Sequence, residues 1–376
     1  MRNVLVQFVE KNPVLSYLSQ CWERVGLLAA YPEYLLELPT WMARVPVPPA
    51  SIVKQFPGTS EAPLRLVDNS DPDVVWGSVL DATLDKWKAL VRERSWHQFR
   101  LGGYVDPAHF RVFPNVTWVD SLPERTDWGV FDSWRCTPRL ALSTGCPYPC
   151  SFCTISRKLT ERSPKAIYED AAAFEPLVFR HIYIDDKSFG IASNSRLLPE
   201  ITRIVRRYNP AFEGFIVQST VNLTRKHWRE WEDLGVKFFE VGVETQDEPT
   251  LMRWKKPHTS QDACDLLDEW PENSHNLIPN IVIGGDGQGY TYTKTWLESG
   301  HQRGKIPFAN FYTLTAYPTQ QHVVNLGYTG VVPSDADEND TRRSWLTSAE
   351  SEEIAAWRNS LMEMFLEGDS GEPAST

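Results

Sequence analysis

Three cysteines fall within eight residues, in the run Ser143-Thr144-Gly145-Cys146-Pro147-Tyr148-Pro149-Cys150-Ser151-Phe152-Cys153, with the spacing C-x3-C-x2-C. A short loop carrying three thiolates can hold three irons of a cubane cluster, which ordinarily takes four cysteines. Three cysteines leave one iron open, and an open iron can bind and activate a ligand. A structural zinc site pairs two C-x2-C or C-x2-C/H-x3-H units at a distance, and no second pair occurs here. A zinc loop, or cysteines without a shared role, is the alternative. Cys21, Cys136 and Cys264 are scattered. Disulfide frameworks belong to short secreted chains, so in 376 residues the clustered cysteines point to a metal or redox centre, and the scattered ones to buried free thiols.

The elements that must position this loop alternate strand and helix. Over 126–330 the expected strands are Arg139–Thr144, His181–Asp185, Gly214–Gln218, Lys237–Val243, Ile278–Ile283 and Phe308–Thr315. Ser163-Pro164 reads as an N-cap followed by proline, and Thr224 as the cap of a helix ending at Gly235. Six strands with intervening helices predict an incomplete parallel (β/α)6 barrel, whose chemistry belongs at the C-terminal strand ends. Residues 1–125 predict a small Rossmann-like α/β domain. Its signals are the apolar start Met1–Val9, Leu64–Val67, Val74–Ser78, a helix over Trp87–Arg94 and a strand ending in Gly102-Gly103. The Pro-rich residues 40–63 read as loop. Residues 331–376 predict an acidic helix over about 348–366, with Ile354, Trp357, Leu361 and Met364 on one face, and a disordered tail from Gly368. The fold class is therefore α/β.

The net charge of −11 is concentrated: residues 335–376 hold eleven acidic and three basic side chains. The acidity is mainly a property of that tail and does not exclude a polyanionic substrate. The sequence shows no basic patch of the kind that accompanies RNA-binding modules. No apolar run approaches the roughly 18 residues of a membrane span. Met1–Val9 is too short for a signal-peptide core, so the expected location is the cytoplasm.

The cysteine motif, directly after the first barrel strand, resembles that of the radical S-adenosylmethionine (SAM) superfamily, and the resemblance runs over about residues 100–325. It implies a [4Fe-4S] cluster on Cys146, Cys150 and Cys153, with SAM bound through its amino and carboxylate groups at the open iron. It also implies reductive cleavage of SAM to a 5′-deoxyadenosyl radical that takes hydrogen from a substrate. Phe152 matches the family's apolar residue near adenine. Asp185 and Asp186, closing Ile182-Tyr183-Ile184, match its polar contact to the SAM amino group. Glu244, in Glu240-Val241-Gly242-Val243-Glu244-Thr245, matches an acidic residue reaching the SAM ribose or amine. Ile283, in Ile281-Val282-Ile283-Gly284-Gly285, matches a segment lying along adenine, and Tyr317-Pro318-Thr319 resembles the sixth strand end. Gln218 ends the third strand, where ribose or methionine is touched, although the basic residue that relatives often carry near Thr220 is absent. Lys255 and Lys256 are candidates to neutralise the SAM carboxylate. The plainer readings are helix caps for the aspartates, a turn for the glycine pair and solvated surface for the lysines.

In residues 1–125 the segments Gly26–Ala30, Asp73–Ser78 and Leu101-Gly102-Gly103-Tyr104 resemble a cobalamin-binding domain, without the D-x-H-x-x-G that supplies a histidine ligand. The expectation is a degenerate domain that walls the active site, joined through Trp118, Trp128, Phe131 and Trp134, with bound cobalamin the less favoured outcome. The implied partners are a small-molecule or nucleotide substrate and an electron donor such as flavodoxin or ferredoxin. A nucleic-acid-modifying radical SAM enzyme and a non-catalytic iron–sulfur protein are the competing functions.

Overall fold

The computed structural model describes residues 3–8, 13–24, 52–55, 73–79, 84–103, 105–120, 128–131, 136–153, 155–284, 290–314 and 348–367. Gly26–Ala30, Leu64–Val67, Tyr104, Trp134, Gly285, Tyr317–Thr319 and the tail from Gly368 lie outside the described residues.

The N-terminal part comprises β1 (Asn3–Phe8), α1 (Pro13–Arg24), β2 (Ile52–Gln55), β3 (Val74–Val79), α2 (Leu84–Glu93), β4 (Gln98–Gly103) and β5 (Val116–Trp118). Its strands pair in parallel in the order β2-β1-β3-β4-β5, which is the order of flavodoxin-like doubly wound sheets. β2 corrects the expectation of loop over 40–63. An edge strand paired on one side needs only a few residues, and Ile52-Val53 supplies them. β3 carries two faces by simple alternation. Val75 and Val79 pack with Trp87, Leu90 and Val91 of α2, whereas Val74 and Trp76 join the large core beside Tyr17 and Trp22. Gly77 lies under Trp87, where a Cβ would come within 2.0 Å of the indole.

The second part runs β6 (Arg139–Leu140), β7 (Ser143–Thr144), β8 (Thr160–Glu161), α3 (Pro164–Ala173), β9 (His181–Ile184), α4 (Leu198–Arg206), β10 (Gly214–Thr220), α5 (Val221–Asp233), β11 (Val236–Glu244), α6 (Glu248–Arg253), α7 (Ser260–Glu269), β12 (Leu277–Ile283), α8 (Tyr290–Gln302) and β13 (Asn310–Thr313). β6, β9, β10, β11, β12 and β13 form one parallel sheet in chain order, a curled half-barrel. Its outward side chains, among them Ile182, Phe215, Val241 and Ile281, pack under the helices; its inward row includes polar Tyr183, Glu240, Asn280 and Asn310.

Two local expectations change. Arg139–Thr144 is not one strand: β6 pairs with β9, and β7 leaves the sheet to pair antiparallel with β8. The helix expected to start at Thr224 starts at Val221, with Thr220 as its cap, accepting from Leu223 N at 3.4 Å. β10 thus runs straight into α5, and Thr224 is a fully buried residue inside the helix. Ser163 caps α3 as expected, and Gly235, at φ 95°, follows the end of α5.

The C-terminal helix α9 (Ser348–Glu367) docks on this body. Its buried face is Arg358, Leu361, Met362 and Phe365, about one position round from the expected stripe, with Trp357 and Met364 half-buried beside it. Arg24, at the end of α1, donates to the carbonyls of Phe365 and Leu366 at 2.9 and 2.7 Å and so caps the last turn of α9. Among the described residues no helix is long and apolar enough to cross a membrane.

Candidate active site

The β7–β8 hairpin encloses the cysteine loop at the C-terminal end of the half-barrel. Gly145 opens the loop at φ 84°, and a Cβ there would meet the Lys158 carbonyl at 2.1 Å, so only glycine fits. Cys146 donates its amide to Ser156 O at 2.8 Å, and its sulfur lies 3.4 Å from Ser188 Oγ. The Cys150 carbonyl accepts from Cys153 N at 3.2 Å and from Arg157 Nη2 at 2.8 Å. Cys146 and Cys150 are buried and Cys153 is half-buried. Burial pushes the Cys150 thiol up, against the opposing pull of the Lys256 ammonium. Among the described residues no three His, Cys, Asp or Glu side chains converge as ligands of a single ion do. A cubane distributes its thiolates over separate irons, so its ligands need not converge on one point. The other cysteines are free thiols, and burial pushes Cys21 and Cys136 up to about 12.

Asp186 holds the entry to the loop. It is 2% exposed and accepts from Leu142 N at 2.7 Å, Ser143 N at 2.9 Å and Ser143 Oγ at 2.6 Å. Those three donors occupy its carboxylate, which therefore orients β7 and the residues leading to Cys146. Asp186→Ala leaves three buried donors without their acceptor and is expected to cost about 3 kcal/mol of stability. Urea unfolding measures this, and Asp186→Asn, which keeps one acceptor oxygen, should recover part of the loss. Asp185 is 28% exposed at its side chain and engages Lys187 Nζ at 2.9 Å and Arg139 Nη1 at 3.7 Å.

The fourth and fifth strands of the sheet form the facing wall. β11 and β12 shift register between Gly242 and Glu244, and Glu244 takes φ 64°, left-handed for a non-glycine residue. The irregularity aims the Glu244 carboxylate at Lys256 Nζ, 2.8 Å away, with side-chain exposures of 10% and 5%. Gly242 leaves room for this pair, since a Cβ would lie 2.8 Å from Glu244 Oε1 and 3.5 Å from Lys256 Nζ. Burial works to discharge Lys256, and the charges of Glu244, Cys150 and Cys153 outweigh it, so its pKa is raised. The two lysines of the sequence thus part: Lys256 is turned inward and Lys255 is exposed.

Phe152 packs on Trp254, Val282 and Leu314, with the Trp254 ring edge-on at 5.2 Å and Lys256 Nζ 5.8 Å above the Phe152 ring. Ile283, expected in this wall, is fully buried in the core under the helices; the strand alternates, so Val282 faces Phe152 instead. Gln218 is half-buried beside Glu240 in the β10–β11 register, and its carbonyl accepts from Phe189 N at 2.8 Å. The structure thus brings Cys146, Cys150, Cys153, Phe152 and Glu244 together, adds Lys256, Trp254, Val282 and Ser188, and assigns Asp186 to loop support. The parity of β12 was the available signal for Val282; Trp254 had none.

The family model described as the Radical SAM superfamily matches residues 140–295. No curated protein matches the chain in sequence. Among solved structures the chain is similar to OxsB, a cobalamin-dependent SAM radical enzyme with aqua-cobalamin and SAM bound, at 14% identity and a TM-score of 0.51, over 96% of this chain and 67% of that one. It is also similar to the radical SAM methyltransferase TsrM from Kitasatospora setae, at 13% identity and a TM-score of 0.48, over 83% of this chain and 75% of that one. At these identities the likeness is one of fold.

Proposed function

We propose that this chain, whose residues 140–295 match the family model of the Radical SAM superfamily, cleaves SAM reductively at a [4Fe-4S] cluster held by Cys146, Cys150 and Cys153 to abstract hydrogen from a small-molecule or nucleotide substrate. The observation that carries this reading is the juxtaposition of a three-thiol loop with a buried acid–base pair and an apolar cluster. The donor set fits the cluster, because three thiols from one eight-residue segment leave a fourth position for a ligand. When bound, the cluster supplies the electron and SAM supplies the hydrogen-abstracting radical.

The chain's own residues do the rest. Glu244 would receive an ammonium and Lys256 a carboxylate, so that the zwitterionic end of SAM replaces the Glu244–Lys256 contact charge for charge. Phe152, half-buried and backed by Trp254 and Val282, would offer an apolar surface to a purine. Asp185 adds a second acceptor at the sheet's C-terminal edge. The test is anaerobic reconstitution, dithionite reduction and measurement of 5′-deoxyadenosine. Wild type should form it, and Glu244→Ala should bind SAM at least about tenfold more weakly, the scale of one charge-assisted contact of about 1.5 kcal/mol, with its iron content unchanged. Unchanged SAM affinity, or loss of iron, would reassign Glu244.

Corrinoid-dependent methylation is the second reading, favoured by the flavodoxin-like parallel sheet ahead of the half-barrel. The glycine pair of β4 does not require a corrinoid. A Cβ on Gly102 would meet Val119 O at 2.8 Å and one on Gly103 would meet Val79 O at 2.1 Å. Strand packing explains both. Retention of a corrinoid spectrum after purification with hydroxocobalamin would promote this reading.

A further inference from the structure

At the base of the half-barrel, the end of the sheet opposite the cysteine loop, the starts of the strands border a cavity of about 1080 Å³. His181 opens β9, Lys237 is the second residue of β11, and Asn276 and Phe308 lie just ahead of β12 and β13. The seven residues of β10 put roughly 20 Å of strand between this level and the catalytic end of the sheet. Arg24 from the end of α1, Arg206 from the last turn of α4 and Phe365 of α9 complete the wall. The cavity is cationic in a chain of net charge −11: Arg24, Arg206, Lys237 and His275 line it against one carboxylate, Glu213. That carboxylate is taken by Arg180 Nη2 at 2.5 Å and His181 Nε2 at 3.3 Å. Arg206 and Lys237 have no acidic partner among the described residues. Helix ends account for two of the cations. Arg24 donates to the carbonyls that close α9, and Arg206 lies in the last turn of α4, where a cation is favoured. Lys237 lies in a strand, where the helix dipole gives no such reason. Its stem crosses Gly214, where a Cβ would come within 2.7 Å of Lys237 Cγ. Burial first, then the charges of Arg180 and Lys237, push His181 down to about 4, so it adds no charge at neutral pH. Two residues of the wall carry polar atoms with no hydrogen-bond partner, His181 Nδ1 and Ser274 Oγ, and such atoms mark a place for a polar ligand.

We propose that this cavity is a second small-molecule site, taking a compound with a doubly charged oxyanion head and an apolar ring-bearing body. The head would meet Arg206 and Lys237, where charge-assisted hydrogen bonds to an oxyanion are the strong ones. The body would lie on the apolar side of the cavity, which Phe238, Phe308 and Phe365 supply. A concave site of this volume, with a few cations over an apolar floor, has the make-up of a small-molecule cleft. A nucleic acid is the less suited occupant, because it needs cations spaced along an extended track. A ligand here would touch α1, the base of the sheet and α9 at once. It would therefore stabilise their packing by mass action. The site draws on no residue of the cysteine loop, so it stands or falls apart from the chemistry proposed there.

The test is titration calorimetry on the full chain with four probes. Phenyl phosphate carries both parts, inorganic phosphate the head alone, phenol the ring alone, and phthalate two carboxylates on the same ring. Phenyl phosphate or phthalate should bind one per chain, at least about tenfold more tightly than phosphate or phenol, and more weakly as salt rises. Which of the two binds more tightly separates a phosphate head from a dicarboxylate one. Arg206 and Lys237 are exposed, so Arg206→Gln/Lys237→Gln should keep the fold, as circular dichroism checks. That variant should bind the favoured probe at least about tenfold more weakly. The probe should also raise the thermal unfolding midpoint of wild type and not that of the variant. Equal affinity in wild type and variant would overturn the proposal, as would the absence of saturable binding by either ring-bearing anion. A short single-stranded RNA that binds more tightly than these probes and displaces them would overturn it in favour of a nucleic acid.

Discussion

Replacing Cys150 with alanine is expected to abolish the metal centre while leaving the loop folded. Reconstituted wild type should carry about four irons per chain, the content of one cubane, with brown absorption; Cys150→Ala should lose that absorption and fall to background in 5′-deoxyadenosine formation. The reason lies in what the substitution spares. The loop's bonds at this residue are made by its backbone carbonyl, to Cys153 N and Arg157 Nη2, and alanine keeps them. Only the buried thiol is removed, so loss of iron is attributable to a ligand and not to a collapsed hairpin. Unchanged far-ultraviolet circular dichroism checks that point. A colourless wild type binding one zinc per chain would overturn the assignment.

Lys256→Met carries the second large effect, on stability. It leaves the Glu244 carboxylate buried and uncompensated, and breaking a buried pair in this way costs about 3–5 kcal/mol. A pair of similar-sized neutral side chains avoids that cost, so Glu244→Gln/Lys256→Met should recover more than half of it. Urea unfolding of the four members of this double-mutant cycle gives the coupling directly. Additive losses would show that the 2.8 Å contact contributes little, and that Lys256 is held by packing against Phe152. The left-handed backbone at Glu244 supplies a second reason for sensitivity, since it is strained independently of the side chain.

Much of the candidate site was legible because it is written locally. The spacing of Cys146, Cys150 and Cys153, the glycine before them and the apolar residue between the last two all lie in one loop. The strand-and-helix alternation fixed a parallel half-barrel, because each β-α-β step must return the next strand beside the last. The N-terminal sheet was legible in part, through β1, β3 and β4; β2 is too short and too close to prolines to stand out, and the three-residue β5 was not expected.

What the sequence by itself determined is therefore the candidate donor set and the order of the elements that carry it, both of which depend on near neighbours in the chain. Only the tertiary structure decided which of two adjacent residues faces the site. It turned Lys256 inward and Lys255 outward, set Val282 against Phe152 and sent Ile283 to the core, and committed Asp186 to Leu142 and Ser143. Each choice hangs on a register or a bulge between strands far apart in the chain, and a shift of one residue reverses every side chain of a strand. The Gly242–Glu244 irregularity is such a case: the residue types permit it, but the pairing of β11 with β12 creates it.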